Sequence, residues 1–151
     1  MRGVYTSTYK ISGLTSAKTL MYLSAPAGKI VKLVGLRVGQ ESNAIGFQAS
    51  IAIDDISALG TPTATSVTPT PMEPGDQAAS STVKANVTAD EPTYSTRRIV
   101  RAFNSLVGMF WDPVREEEFE YVAAAASIGI RFLTTATSSD FEIELTHQEI
   151  G

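Results

Sequence analysis

Residues 140–146 read Asp-Phe-Glu-Ile-Glu-Leu-Thr: Phe141, Ile143 and Leu145 alternate with Glu142, Glu144 and Thr146. A period of two marks an extended strand, whose successive side chains leave on opposite sides. The apolar set faces a core and the polar set faces water. Three other stretches share the pattern. Within 30–38, Val34, Leu36 and Val38 share one side and Arg37 takes the other. Within 46–54, Phe47, Ala49, Ile51 and Ile53 alternate with Gln48, Ser50, Ala52 and Asp54. Within 127–133, Ile128, Ile130 and Phe132 oppose Arg131.

Weaker strands are expected over 4–11, 19–23, 98–103 and 114–122. The run Glu116-Glu117-Glu118 in the last of these opens either a strand or a helix carried on by the alanines at 123–126. Between the strong strands lies a different texture. Residues 60–92 hold five of the seven prolines and seven threonines. Large apolar residues are scarce there, so this stretch is expected to run over the surface as a long loop. A short helical turn capped by Asp76 is expected inside it. On this reading residues 62–90 are removable without loss of the folded body.

At 151 residues the chain fits one domain, 1–151, large enough to bury a core without staples. About eight strands and no long helix indicate an all-β fold, an antiparallel β-sandwich with a jelly roll of two four-stranded sheets as first choice. An immunoglobulin-like sandwich is the alternative, here without its disulfide.

The absence of cysteine excludes a disulfide scaffold, thiolate metal sites and a cysteine nucleophile. No apolar run approaches the ~20 residues that span a bilayer, and the start, Met1-Arg2-Gly3-Val4-Tyr5-Thr6, has no apolar signal-peptide stretch. The net charge of −4 conceals a gradient: residues 1–53 carry six bases and one acid, and residues 112–151 nine acids and two bases. The two ends lie side by side in one sheet, or basic and acidic faces meet between subunits, or, on the plainer reading, the charges sit solvated on outward strand faces. A net acidic chain is a poor nucleic-acid binder.

Catalytic signals are weak. The single histidine, His147, follows a strand and is expected on the surface; no Gly-x-Ser-x-Gly elbow accompanies it. Asp54-Asp55 and the Glu116–Glu118 run are the carboxylate clusters, but neighbours on a strand face opposite ways and do not make a catalytic pair. Asp54-Asp55 also lacks the spacing of a calcium loop. No metal, cofactor or enzymatic activity is expected.

Aromatic residues are better candidates, as interface anchors. Phe110 and Trp111 stand beside Gly108 and Met109, and Tyr5, Tyr9 and Tyr22 lie near the basic end. The Thr/Pro-rich stretch adds Pro69, Pro71 and Met72. The plainer reading of the aromatics is core packing.

The order of these features matches a known texture. The run 20–29, Leu-Met-Tyr-Leu-Ser-Ala-Pro-Ala-Gly-Lys, feeds an apolar strand; Gly60-Thr61-Pro62 opens the Thr/Pro-rich stretch containing Pro74-Gly75-Asp76-Gln77-Ala78-Ala79; residues 141–151 close the chain. In this the chain resembles the capsid decoration, or cement, proteins of tailed bacteriophages. The resemblance implies a jelly-roll sandwich without enzymatic activity, made in the host cytoplasm and carried on the outer surface of the virion. It implies the major capsid protein as partner and a homo-oligomer, trimer before dimer, with no nucleic acid and no membrane. A carbohydrate- or receptor-binding module of a tail or fibre, using Phe110 and Trp111 as a platform, is the alternative.

Overall fold

A computed structural model describes residues 3–42, 45–114, 119–122, 127–134 and 138–151. Twelve strands lie among them: β1 Val4–Leu14, β2 Lys18–Ser24, β3 Ile30–Ser42, β4 Gln48–Ala58, β5 Thr63–Val67, β6 Thr70–Pro71, β7 Thr82–Ala89, β8 Thr93–Asn104, β9 Met109–Trp111, β10 Phe119–Val122, β11 Ser127–Phe132 and β12 Ser139–Ile150. There is no helix among the described residues. Two antiparallel sheets pack together as a β-sandwich. One runs β10–β3–β12–β1–β6, with β9 also on β3; the other runs β5–β7–β2–β11–β4–β8.

Outside β5, β6 and β7, one set of pairings follows a common rule. β1 pairs with β12, β2 with β11, β3 with β9 and β10, and β4 with β8. First meets last and the partners move inward, as in a single long hairpin wound over itself. Residues 59–92 leave from the tip of that hairpin.

Alternation builds the core. In β12, Phe141, Ile143 and Leu145 are wholly buried, as are Leu20, Met21, Ile130 and Phe132 across from them. β3 departs from the expected phase. Its register against β12 shifts between Thr146 and His147, where Gly35 and Leu33 are successive partners and Val34 is the extra residue. A bulge of this kind turns the strand by one side-chain step. Val31 and Leu33 point inward before it, Leu36 and Val38 after it, and Val34 is half-buried. β12 itself keeps an unbroken alternation to its end.

Residues 60–92 are a correction to the surface-loop reading. β7 lies between β5 and β2 in the second sheet, and Val83 and Ala85 enter the main core. β6 crosses to the first sheet and pairs Pro71 with Tyr5. The excursion thus ties the two sheets together along one edge, and deleting 62–90 would remove core. The segment after Asp76 is not helical: Asp76 N–H closes a turn onto Glu73 O.

A second, small cluster, Tyr22, Ile56 and Val87 under Leu59, Ala64 and Tyr94, covers part of the second sheet. Tyr94 lies directly on Gly129, where a Cβ would sit 2.7 Å from Tyr94 Cε1. Gly129→Ala is therefore expected to cost about 1–3 kcal/mol, through overpacking, and to lower the melting temperature by several degrees. The same change in a Tyr94→Ala background should cost less; equal losses would mean the close approach is not the constraint.

The charge gradient resolves within one sheet. β1 and β12 are antiparallel neighbours, with Lys10 opposite Glu142. Lys10 also pairs with Glu41 and Asp140, and Arg37 with Glu144 at 3.4 Å. These pairs are largely exposed, so solvent screens them and they add little to stability.

Candidate functional site

The eight candidate interface residues scatter. Tyr5, Tyr22 and Trp111 are buried. Tyr9 is half-buried and donates its hydroxyl to Thr65 Oγ1. Pro69 and Pro71 are half-buried, whereas Met72 is 60% and Phe110 70% exposed. Only Tyr5, Pro71 and Met72 come together, where β6 lies against β1. With Trp111 in the core, Phe110 and Trp111 do not form a flat two-ring platform. Glu116–Glu118 lie outside the described residues.

The largest departure from expectation is His147. It is wholly buried, not on the surface, because the alternation of β12 continues two steps beyond Leu145 and turns His147 and Glu149 inward. Extending the sequence pattern past Thr146 would have shown this. There they meet residues 72–81, a strap laid across β1 and β12. Met72 N–H donates to Val4 O, Tyr5 hydroxyl to Gln77 O, and Gly3 N–H to Asp76 Oδ2. Glu149 is the clamp: its carboxylate accepts from Ser80 N–H at 2.9 Å, Ser80 Oγ at 2.9 Å and Ser81 N–H at 2.7 Å, with Lys29 Nζ 3.4 Å away. Ser81 Oγ and His147 Nε2 share a hydrogen bond of 2.7 Å, and the Tyr5 ring stacks on the imidazole at 5.4 Å. A polar hollow of ≈ 510 Å³ opens between this strap, Lys29 and Gly151.

Serine, histidine and glutamate in contact suggest a nucleophilic triad, but the geometry is wrong for one. The orienting carboxylate must hold the imidazole nitrogen that the nucleophile does not use. Here Glu149 approaches the same Nε2 as Ser81, at 3.9 Å, while Nδ1 has no hydrogen-bond partner. Ser81 is itself buried. The cluster clamps a strap. Burial holds the His147 imidazole down to about 4, against the pull of Glu149. Burial would raise the Glu149 carboxyl, but hydrogen bonds from Ser81 and Ser80 outweigh it and bring it down to about 2.

A second feature lies at the opposite edge. After β8, Asn104 folds a tight turn: its Oδ1 accepts from Leu106 N–H and its carbonyl from Val107 and Gly108 N–H. Gly108 has φ 79°, and a Cβ there would lie 2.9 Å from Val38 O, so only glycine fits. The turn drives Leu106 (58% exposed) and Val107 (85%) outward, with Ile45 and Phe110 also exposed. Leu106 rests on Gly46, and the Arg37 guanidinium lies 4.9 Å over the Phe110 ring. A groove of ≈ 320 Å³ runs from Val107 and Phe110 to Glu142 and Glu144.

The aspartate pair is held by arginines. Asp54 is buried and bonded to Arg97 at 3.1 Å and Arg131 at 2.9 Å; Asp55 is bonded to Arg98 at 2.7 Å. Arg131 also stacks on Tyr94 at 4.2 Å. These carboxylates are occupied as ion-pair partners and are not arranged as calcium ligands. Neither a protein-family model, nor a curated protein, nor a solved structure matches the chain.

Proposed function

We propose that the protein is a structural decoration, or cement, protein of a tailed-phage head, a jelly roll that attaches to the outer capsid surface and bridges its subunits. The jelly-roll reading draws support from the pairing rule: first strand with last, second with second-last, and so inward, which is what a long hairpin wound into two sheets produces. The observation that carries the attachment reading is the exposed apolar turn, Leu106, Val107 and Phe110, held on a stiff two-sheet body. Exposed apolar residues grouped together mark contact surfaces. Modest contacts suffice where several copies on one oligomer act together, since each later contact is intramolecular. Binding to assembled shells stabilises them by mass action.

Co-sedimentation with expanded and unexpanded capsids tests this. The Val107→Ser, Phe110→Ser double variant should melt like the wild type, because both side chains are exposed, yet fail to sediment with capsids. The mass in solution is expected to be that of a trimer. Unchanged sedimentation of the double variant would remove the turn from the contact, and a wild-type protein that ignores capsids would end the reading.

A further inference from the structure

β8 is the outermost strand of its sheet: it pairs with β4 and, among the described residues, with no strand on its other side. Its twelve residues divide into two parts. From Thr93 to Ile99 the register against β4 shifts three times, and such bulges spoil an edge for pairing. From Ile99 to Asn104 the register is regular, Ile53 opposite Ile99 through to Gln48 opposite Asn104.

The direction of the backbone groups in this regular part can be derived. Ser105 N–H donates to Phe47 O, continuing the same register. Antiparallel ladders alternate strictly, so Phe103, Arg101 and Ile99 turn their N–H and C=O toward β4. Leu133 N–H donates to Ser50 O, which turns the even-numbered residues of β4 toward β11 and agrees with this assignment. Val100 and Ala102 therefore present their N–H and C=O groups outward. The edge runs straight into the exposed apolar turn at Leu106 and Val107.

Charge selects the occupant. β8 carries Arg97, Arg98 and Arg101 and no acid. Arg97 and Arg98 are bonded to Asp54 and Asp55; Arg101 is exposed. A second copy adding antiparallel, with Val100 opposite Ala102, would set two Arg101 side chains directly against each other. Like charges in that position destabilise a pair of strands, so the register that uses both outward residues of each copy is disfavoured.

We propose that the Ile99–Asn104 edge of β8 is a strand-addition site for an extended, acidic segment of a capsid subunit, whose backbone pairs with Val100 and Ala102 and whose carboxylate meets Arg101. Main-chain bonds supply affinity in such additions and side chains supply choice of partner. That the segment belongs to a capsid subunit rests on the capsid reading above.

Amide hydrogen exchange at Val100 and Ala102 tests the site directly. Both amides should exchange fast in the free protein and slow on expanded capsids. Ala102→Pro removes one outward N–H, a change that edge strands tolerate, and should weaken capsid binding roughly tenfold. Arg101→Glu, on an exposed side chain, should weaken it with every backbone group kept, so the test does not depend on the proline variant folding. Capsid binding with unchanged exchange at Val100 and Ala102 would overturn the edge and leave the capsid reading standing. If the protein ignores capsids, that reading falls, and a short peptide alternating valine and glutamate decides the edge. Protection of both amides by it, and not by a valine–lysine peptide, upholds strand addition by an acidic segment; protection by neither or by both overturns it. Slow exchange in the free protein would also overturn it, since the chain itself would then cover the edge.

Discussion

Between pH 7 and about pH 5 the protein is expected to lose roughly 2 kcal/mol of stability, with a melting temperature about 4–8 °C lower. The cause is His147. Its imidazole is held at about 4 in the fold and returns to the ordinary 6.5 when the chain unfolds. Between those values the unfolded chain binds the extra proton, so stability falls as pH falls through this window and stops falling below it. The full effect is about 3 kcal/mol. The assignment is clean because the chain has one histidine. Glu149 adds a separate loss at lower pH: its carboxyl sits at about 2 in the fold against an ordinary 4.5, so its contribution is intact above 4.5 and disappears as pH falls through 2. Thermal unfolding across pH, for the wild type and His147→Gln, checks this. The variant should be less stable at pH 7 and should lose the slope between pH 7 and pH 5; a slope that survives would place the titration elsewhere.

Removing the clamp itself should have an effect of similar size. Glu149→Ala is expected to cost about 3 kcal/mol or more, because the buried N–H groups of Ser80 and Ser81 lose a charged acceptor that water cannot fully replace. Glu149→Gln keeps the shape but turns an NH₂ toward donors, and should fall between. The damage should be local before it is global: limited proteolysis is expected to cut within residues 72–81 first, while the two sheets survive. Equal cleavage patterns for Glu149→Ala and the wild type would mean that the strap is held by Tyr5 and Asp76 instead.

Much of the fold was legible in alternation. Phe141, Ile143 and Leu145 in β12 and Ala49, Ile51 and Ile53 in β4 lie where a period of two puts them. The charge gradient admitted pairing of the basic start with the acidic end, but equally a contact between subunits or plain solvated charge, and the register of β1 against β12 decides for the first. Three things were not legible. The bulge at Val34 shifts β3 by one residue, and no composition rule announces a bulge. Residues 60–92 looked too poor in large apolar side chains to enter a core, yet β7 needs only Val83 and Ala85 inward and holds its place by backbone hydrogen bonds, which leave no mark in composition. Asp54 sits on the side of β4 that alternation turns outward, but Tyr94 and Arg131 cover that side, and burial by a neighbouring side chain depends on tertiary contact. The clamp stood at the edge of legibility, two residues past the point where the alternating pattern reads as apolar and polar.

The nesting of first strand against last has a consequence for synthesis. β11 separates β2 from β4, and β12 separates β1 from β3. Neither sheet can close until β11 and β12 have followed the earlier strands out of the ribosome, because each is the strand that joins its neighbours. Folding is therefore governed by contacts distant in sequence, a class that folds in milliseconds to seconds. Until then β2, β4 and the other early strands wait with their edges open, the state in which a partly made sheet is most exposed to pairing with its neighbours.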